Sequence, residues 1–302
     1  MRIHSNIEIC RMVDYRKVPD HIENCQRLYF GHETCEKLLP QADALDDLLE
    51  IAEKHQLKLT FVTPFLTEKG IERVLLFLCQ LKTYRLTGFE IVTPDWGLIH
   101  WVTANYEPGK LAVSRFLTGQ QVDFRMMDDG NKSKDEIVCM EGIYYKLTSK
   151  QMSSMMANHF SSGTLLKEKT MEMFCRSGVT RFELSNVFQP MTLPENKQYH
   201  YSLHVPYVPL TIFRACPVNM DFNQTRKHCD TRNCFHNHQK WQYTTSNPVS
   251  TALCKTEQNE ENQCLSENRE LYCIDNALYY YHPNFESNLQ RYKQIDRIVI
   301  HK

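Results

Sequence analysis

The sequence lacks an excess of charge of either sign. Its 302 residues include 35 Lys and Arg against 36 Asp and Glu, so the formal net charge is -1. Proteins that bind nucleic acid usually carry a basic surface, because contacts with phosphates supply most of their non-specific affinity. The even balance therefore argues against a nucleic-acid substrate.

Long apolar runs are missing as well. No stretch approaches the roughly 18 consecutive apolar residues of a membrane-spanning helix, and the opening MRIHSNIEICRMVDYRK lacks the apolar segment of a signal peptide. We therefore expect a cytoplasmic protein without a transmembrane segment, in which thiols stay reduced. Its 12 cysteines are then not expected to form the disulfide framework of a small secreted domain.

Common catalytic and nucleotide-binding motifs are also absent. Neither G-x-G-x-x-G nor G-x-x-x-x-G-K-[ST] follows any predicted strand, which removes the usual nucleotide-binding interpretation of an α/β fold. The H-E-x-x-H motif of zinc peptidases and a Ser-His-Asp spacing are missing too. A hydrolase is therefore not the first function that the sequence predicts.

Short apolar runs alternate with helical patterns along the chain. The strands predicted in the first half are 3–10, 27–31, 57–65, 88–95 and 110–118. The helices predicted there are 18–25, 42–56 and 71–84, followed by one that ends at Ala104. Continuous apolar strands separated by helices are typical of a parallel sheet covered on both faces. The pattern predicts an α/β fold and leaves both an open sheet and a barrel as alternatives.

Residues 119–163 interrupt this alternation, because they are polar and rich in Met. We interpret them as an insertion or a long surface loop within a single domain that spans residues 1–302. The alternation returns with a helix predicted at 165–178 and a strand at 179–186. The remaining predicted elements are extended chain at 199–214, strands at 271–275, 276–282 and 295–302, and a helix near 284–292.

Three cysteines gather between Cys216 and His238 with C-x12-C-x4-C spacing. Their polar neighbours would not bury apolar thiols, so we interpret residues 216–238 as a metal-binding loop. Zinc would use Cys229, Cys234, His236 and His238, although these ligands lie very close together for one tetrahedral site. A 4Fe-4S cluster would use the three thiolates and one distant thiolate.

Cys35 is the best candidate for that distant ligand. It follows the predicted strand 27–31 by a few residues, and strand ends are where α/β folds bind their ligands. Cys273, in or just after a late strand, is the rival. Four other cysteines lie in apolar patterns and are predicted to be core residues: Cys10, Cys79, Cys139 and Cys175.

Three charged residues are weak catalytic candidates. Asp95 ends a predicted strand, where a carboxylate either orients a ligand or caps the following helix. Glu183 and Arg115 lie within strand patterns and would face a barrel interior as a charge pair. Arg214, close before Cys216, would balance the charge of a cluster.

Five stretches, spread over most of the chain, carry a family resemblance: RLYFGHETCEK, LKLTFVTPFLT, FEIVTPDWGLI, GVTRFELSN and YVPLTIFRACP. They resemble the collagenase-like peptidase family U32. Within the family the chain is most similar to the UbiV-like iron-sulfur branch. The glutamate-bearing peptidase signature of the family is absent, and VPYVPLTIFRAC leads into the cysteine loop instead.

The resemblance implies a TIM-like (β/α) barrel and a 4Fe-4S cluster held by Cys35, Cys216, Cys229 and Cys234. It also implies a part in oxygen-independent, prephenate-dependent hydroxylation, as in ubiquinone biosynthesis, with a small-molecule or quinone-precursor substrate. The implied partner is a second family subunit in a heterodimer. Two alternatives remain: a peptidase of the U32 type, and a non-catalytic partner subunit in which a cluster or zinc has a structural role.

Overall fold

The structure is a computed structural model. It describes residues 7–16, 18, 22, 24–41, 45–84, 86–107, 110–120, 136–140, 143–147, 161, 163, 166–213, 216, 231, 242–243 and 271–301. For a few of these residues the structure describes only the backbone: 136–140, 143–147, 242–243, 271 and 273.

Eight parallel strands form a closed barrel and follow one another around it in chain order. They are β1 (Glu8–Met12), β2 (Arg27–Gly31), β3 (Lys58–Val62), β4 (Glu90–Thr93), β5 (Leu111–Val113), β8 (Arg181–Ser185), β9 (His200–Val205) and β14 (Ile295–Ile300). The last of these pairs with both β9 and β1 and so closes the barrel. The predicted TIM-like (β/α) barrel is confirmed, and the open sheet is excluded.

Helices lie between the barrel strands. The described helices are α1 (Asp46–Lys54), α2 (Glu68–Thr83), α3 (Trp96–Asn105), α4 (Arg115–Thr118), α5 (Glu168–Arg176) and α6 (Glu286–Arg291), with a 3-10 helix at Glu36–Leu38. Sequence marks several of their ends. The hydroxyl of Thr67 caps α2 by accepting a hydrogen bond from Gly70 N. Gly178, with φ +82°, follows the last turn of α5 as predicted.

Side chains alternate between two buried regions along each barrel strand. On β2, Leu28 and Phe30 pack outward against the helices, whereas Tyr29 points into the barrel with Val62 and Val92. The outer region is a large apolar core, and the inner one is a small apolar layer bounded by polar groups at both ends. We call the N-terminal ends of the strands the lower end of the barrel and the C-terminal ends the upper end.

At the lower end, four charged residues form what we call the lower ring: Glu8, Arg27, Glu90 and Arg297. Arg297 contacts both carboxylates, at 2.6 Å to Glu8 Oε2 and 2.6 Å to Glu90 Oε2. Arg27 also contacts both, at 3.1 Å and 3.4 Å. The ring therefore pairs two cations with two anions, which is how buried charges are stabilised.

An antiparallel sheet, which we call the lid sheet, is inserted between β9 and β14. Its strands are β10 (Tyr207–Ile212), β11 (Gln242–Tyr243), β12 (Leu271–Ile274) and β13 (Ala277–Tyr281), in the order β10-β13-β12-β11. Arg115 at the upper end donates a hydrogen bond to the carbonyl of Tyr207, and His32 contacts Asp275. The lid sheet therefore lies against the upper end of the barrel.

Some predictions differ from the structure. The strand predicted at 110–118 is the short β5 followed by α4, because the Ser114 hydroxyl accepts a hydrogen bond from Phe116 N and starts a helical turn. Within 18–25, the described residues are not helical. The predicted insertion at 119–163 contains an antiparallel hairpin of β6 (Glu136–Met140) and β7 (Ile143–Leu147). None of the described helices has the length and apolar character needed to cross a membrane.

Candidate functional site

The upper end of β2 turns sharply at Gly31. Its φ is +107°, and a Cβ atom there would lie 2.2 Å from the carbonyl oxygen of Val62. A side chain is therefore excluded by both conformation and space. The turn is followed by four residues, His32, Glu33, Thr34 and Cys35, that serve two different parts of the site.

His32 fixes the local backbone and contacts the lid sheet. Its Nδ1 accepts hydrogen bonds from the backbone N of Thr34, at 3.2 Å, and of Cys35, at 3.0 Å. The ring proton therefore sits on Nε2, which lies 2.6 Å from Asp275 Oδ2. His32 thus ties the loop after β2 to the turn between β12 and β13.

Two of the predicted cysteine ligands lie beside Asp275, and we call Cys35, Cys216 and Asp275 the thiol site. The Sγ of Cys216 is 3.7 Å from the Asp275 carbonyl oxygen. Burial, followed by the nearby Asp275 and Cys216, raises the pKa of Cys35 to about 11. Both thiols are free of disulfides. A metal would have to displace the proton of Cys35 at neutral pH.

Most of the predicted cysteine loop lies outside the described residues. This holds for Arg214, Cys229, Cys234, His236 and His238. The rival ligand Cys273 lies on β12, and the structure describes only its backbone. Ligation by all of these residues stays a prediction.

The four cysteines that were predicted to be core residues lie in different environments. Cys10 is buried inside the barrel, as predicted. Cys175 is partly buried, and Cys139 lies on β6, where only the backbone is described. Cys79 is exposed, so its predicted core position is wrong. It falls outside the buried helical stripe of α2 that contains Val74, Phe77 and Leu81.

Glu33 enters the upper end of the barrel interior and forms a two-bond ion pair with Arg115. The contacts are 2.9 Å from Nε to Oε1 and 2.6 Å from Nη2 to Oε2. Burial opposes ionisation of Glu33, but Arg115, with His301 and His204, outweighs it and lowers the pKa to about 2. The pair is held under the lid sheet by a 2.6 Å hydrogen bond from Arg115 Nη1 to the Tyr207 carbonyl.

His204 and His301 complete a compact cluster with Glu33, which we call the triad. His204 Nδ1 lies 2.8 Å from His301 Nε2 and 3.7 Å from Glu33 Oε1. His301 Nε2 is 3.9 Å from Glu33 Oε2. Burial, together with Arg115, lowers the pKa of His301 well below its usual range. Three possible metal-ligating atoms thus lie within 4.8 Å of one another.

A second carboxylate supports the triad from below. Glu183 Oε2 is 2.6 Å from His204 Nε2, and Tyr29 donates to Glu183 Oε1 at 3.2 Å. Arg297 of the lower ring in turn donates to the hydroxyl of Tyr29 at 2.9 Å. The expected charge pair between Arg115 and Glu183 is therefore wrong, because Arg115 pairs with Glu33 and Glu183 contacts His204.

Asp95 occupies the position of a helix cap. Its Oδ1 accepts from Leu98 N at 3.0 Å and its Oδ2 accepts from Leu66 N at 3.3 Å. The capping role considered from sequence is confirmed, and its carboxylate also ties α3 to the loop before α2. A catalytic role of Asp95 stays a prediction.

The triad was not among the sequence candidates, although the sequence contains a signal for it. His204 lies at the end of β9, and His301 directly follows β14. Glu33 lies two residues beyond the end of β2. Polar side chains at the C-terminal ends of barrel strands are where barrel enzymes place their chemistry. These three residues, which are far apart in sequence, lie close together because the barrel is closed.

Fold and site together define a (β/α) barrel with a polar upper end covered by an inserted sheet. No protein-family model and no curated protein matches the chain. A solved structure described as that of the U32 peptidase Mk0906 matches 100% of this chain and 95% of its own, with a TM-score of 0.42 and 11% identity. A likeness this remote carries no argument about family or activity.

Proposed function

We propose that the chain is an iron-sulfur protein of the U32 peptidase family. In this proposal Cys35, Cys216, Cys229 and Cys234 hold a 4Fe-4S cluster at the upper end of the barrel. The observation that carries it is the meeting of Cys35 and Cys216 beside Asp275, from the loop after β2 and from the segment after β10.

The two described thiols suit such a group. Clusters of this type require several thiolates from a preformed framework. His32 holds the backbone of Cys35, and the carbonyl of Asp275 contacts the Cys216 thiol. When bound, the cluster would supply one-electron chemistry, and the role of the surrounding residues is to orient the thiols and to limit access of water.

The reaction that we propose is a step of an oxygen-independent hydroxylation on a small molecule such as a quinone precursor. The motif resemblance to the UbiV-like branch supports this class. A second family subunit is the expected partner, and the reduced cytoplasm is the expected compartment.

Purification without air tests the cluster. We expect a brown protein with about four iron and four sulfide ions per chain and charge-transfer absorption in the visible range. Changing Cys35→Ser or Cys216→Ser should remove most of this absorption, whereas the exposed Cys79→Ser should retain it. Co-expression with a second family member tests the heterodimer by co-purification.

Two results would contradict the proposal. A colourless protein with one zinc ion per chain would replace the cluster by structural zinc. Cleavage of casein or gelatin that survives both cysteine changes would favour a peptidase.

A further inference from the structure

We propose that Glu33, His204 and His301 bind a divalent transition-metal ion inside the upper end of the barrel, at a site distinct from the thiols. The three residues come from the ends of β2, β9 and β14, so that the closed barrel brings them together. Their set of two imidazoles and one carboxylate is a ligand combination known for mononuclear metal sites.

The distances within the triad fit a shared ion. Bonds of about 2.0–2.2 Å to imidazole and carboxylate ligands put neighbouring donor atoms roughly 3.0–3.5 Å apart. The observed separations are 2.8 Å between the two imidazole nitrogens and 3.7 Å and 3.9 Å from these to the Glu33 oxygens. Shifts of a few tenths of an ångström would convert this arrangement into a coordination sphere.

The groups behind the ligands have the arrangement that metal sites use. A metal-bound histidine usually donates its other ring N–H to a carboxylate, which fixes the tautomer and orients the ring. His204 has this contact, because its Nε2 is 2.6 Å from Glu183 Oε2 while its Nδ1 faces the other two ligands. Glu33 is likewise held by Arg115.

Charge gives an independent argument for a bound cation. Around the triad, two buried carboxylates, Glu33 and Glu183, face one guanidinium, that of Arg115. The other buried carboxylate described at the upper end, that of Asp275, contacts His32 instead. The lower ring is already balanced within itself. Buried charge without a partner is costly, so a cation at the triad would offset the second carboxylate.

A hydrogen-bonded cluster without a metal is the competing explanation. In it, Nε2 of His204 would contact Glu183, and Nδ1 of His204 would share a hydrogen bond with Nε2 of His301. The two explanations differ in metal affinity, because the metal site binds an ion through His301 and Glu33, whereas the hydrogen-bonded cluster binds none.

Titration with Mn(II), followed by electron paramagnetic resonance, tests the proposal on the whole protein. Mn(II) prefers oxygen and imidazole ligands to thiolates, so it reports on the triad rather than on the thiol site. We expect about one Mn(II) per chain, with an affinity that falls more than about tenfold in His301→Gln and in Glu33→Gln. The orienting residue should matter as well, with a loss of about 10–100-fold in Glu183→Gln.

Matched controls separate this site from others. His200→Gln changes a half-exposed histidine at the lower end that contacts Asp296, and it should leave Mn(II) affinity unchanged. Cys216→Ser should also leave it unchanged, so failure of the iron-sulfur proposal would not affect this result. Binding that disappears in Cys216→Ser but persists in His301→Gln would overturn the proposal.

The wild-type protein gives a test that does not depend on folding of the variants. Pulsed resonance of the Mn(II) complex should show coupling to the nitrogens of two imidazoles. A complex without nitrogen coupling, or no binding at millimolar Mn(II), would overturn the proposal and leave the hydrogen-bonded cluster without a metal as the explanation.

Discussion

The two ends of the barrel interior bury ionisable groups in contrasting ways. The lower ring consists of residues whose charges cancel, and each arginine contacts both carboxylates. Around the triad, the upper end combines two carboxylates with one arginine and two histidines, which are groups able to gain or lose protons or ligands. The difference indicates that the lower end stabilises the fold, whereas the upper end is arranged to interact with something else.

Removal of a lower-ring cation should have the largest effect on stability. Arg297→Met leaves Glu8 and Glu90 with one arginine in a buried site, and we expect a loss of about 3–5 kcal/mol in the free energy of unfolding. Urea unfolding measures it. Arg176→Met is the control, because this arginine is 83% exposed in an i,i+4 pair with Glu172 and should change stability by less than about 0.5 kcal/mol. Equal effects of the two changes would contradict the role of the ring.

Gly31→Ala should come next. It introduces a Cβ against the Val62 carbonyl at a φ of +107°, for which we expect a loss of about 2–3 kcal/mol in the free energy of unfolding. Gly178→Ala also has positive φ, at +82°, but we expect only about 1 kcal/mol there. Thermal unfolding compares the two. A smaller loss for Gly31→Ala than for Gly178→Ala would mean that the backbone at the upper end of β2 adapts more easily than its geometry indicates.

Acid should destabilise the protein by protonating the carboxylates of the lower ring. We expect the loss in the free energy of unfolding to be smaller than that of Gly31→Ala and larger than that of Asp95→Ala. Burial opposes the ionisation of Glu8 and Glu90, but Arg297 and Arg27 outweigh it and lower both pKa values. Their contribution to stability is therefore fully present above the unfolded pKa of about 4.5 and is lost as the pH falls through the folded values. The melting temperature should decline below pH 4.5, and less steeply in Glu90→Gln. The same slope in both proteins would contradict this account.

Loss of the Asp95 cap should have the smallest effect. Asp95→Ala removes the acceptor of two backbone N–H groups, and we expect about 1 kcal/mol of destabilisation. Asp95→Asn, which retains an acceptor, should recover much of it. If Asp95 is catalytic as well, both changes would reduce turnover by far more than stability explains, and this outcome would separate its two roles.

The sequence predicted the alternation of strands and helices well, because continuous apolar runs mark the buried strands. It left an open sheet and a barrel as alternatives, and only the family resemblance favoured the barrel. The run RLYFG corresponds to β2 with unchanged bounds. The error at 110–118 arose where an apolar run continued past Ser114, whose side chain starts a helical turn instead. The helical periodicity of α2 predicts that Cys79 is exposed, because Cys79 is not on the buried face of the helix.

The site was less predictable, because its contacts depend on the closed barrel. Cys35 was selected by its position after a strand, and it lies in the thiol site with Cys216. Arg115 and Glu183 were expected to pair with each other, but their actual partners, Glu33 and His204, come from two further strands. No local pattern distinguishes these pairings, since all four side chains occupy strand ends or inward positions.

The position of β14 has a consequence for the order in which the protein can fold during synthesis. This strand carries Arg297 for the lower ring and is followed at once by His301 of the triad. The hydrogen bond between Arg297 and Glu8 joins residues that are 289 positions apart. Until β14 leaves the ribosome, seven strands must wait with an open seam and with ring carboxylates that lack their second cation. Such a nascent chain should depend on chaperones until its final strand arrives.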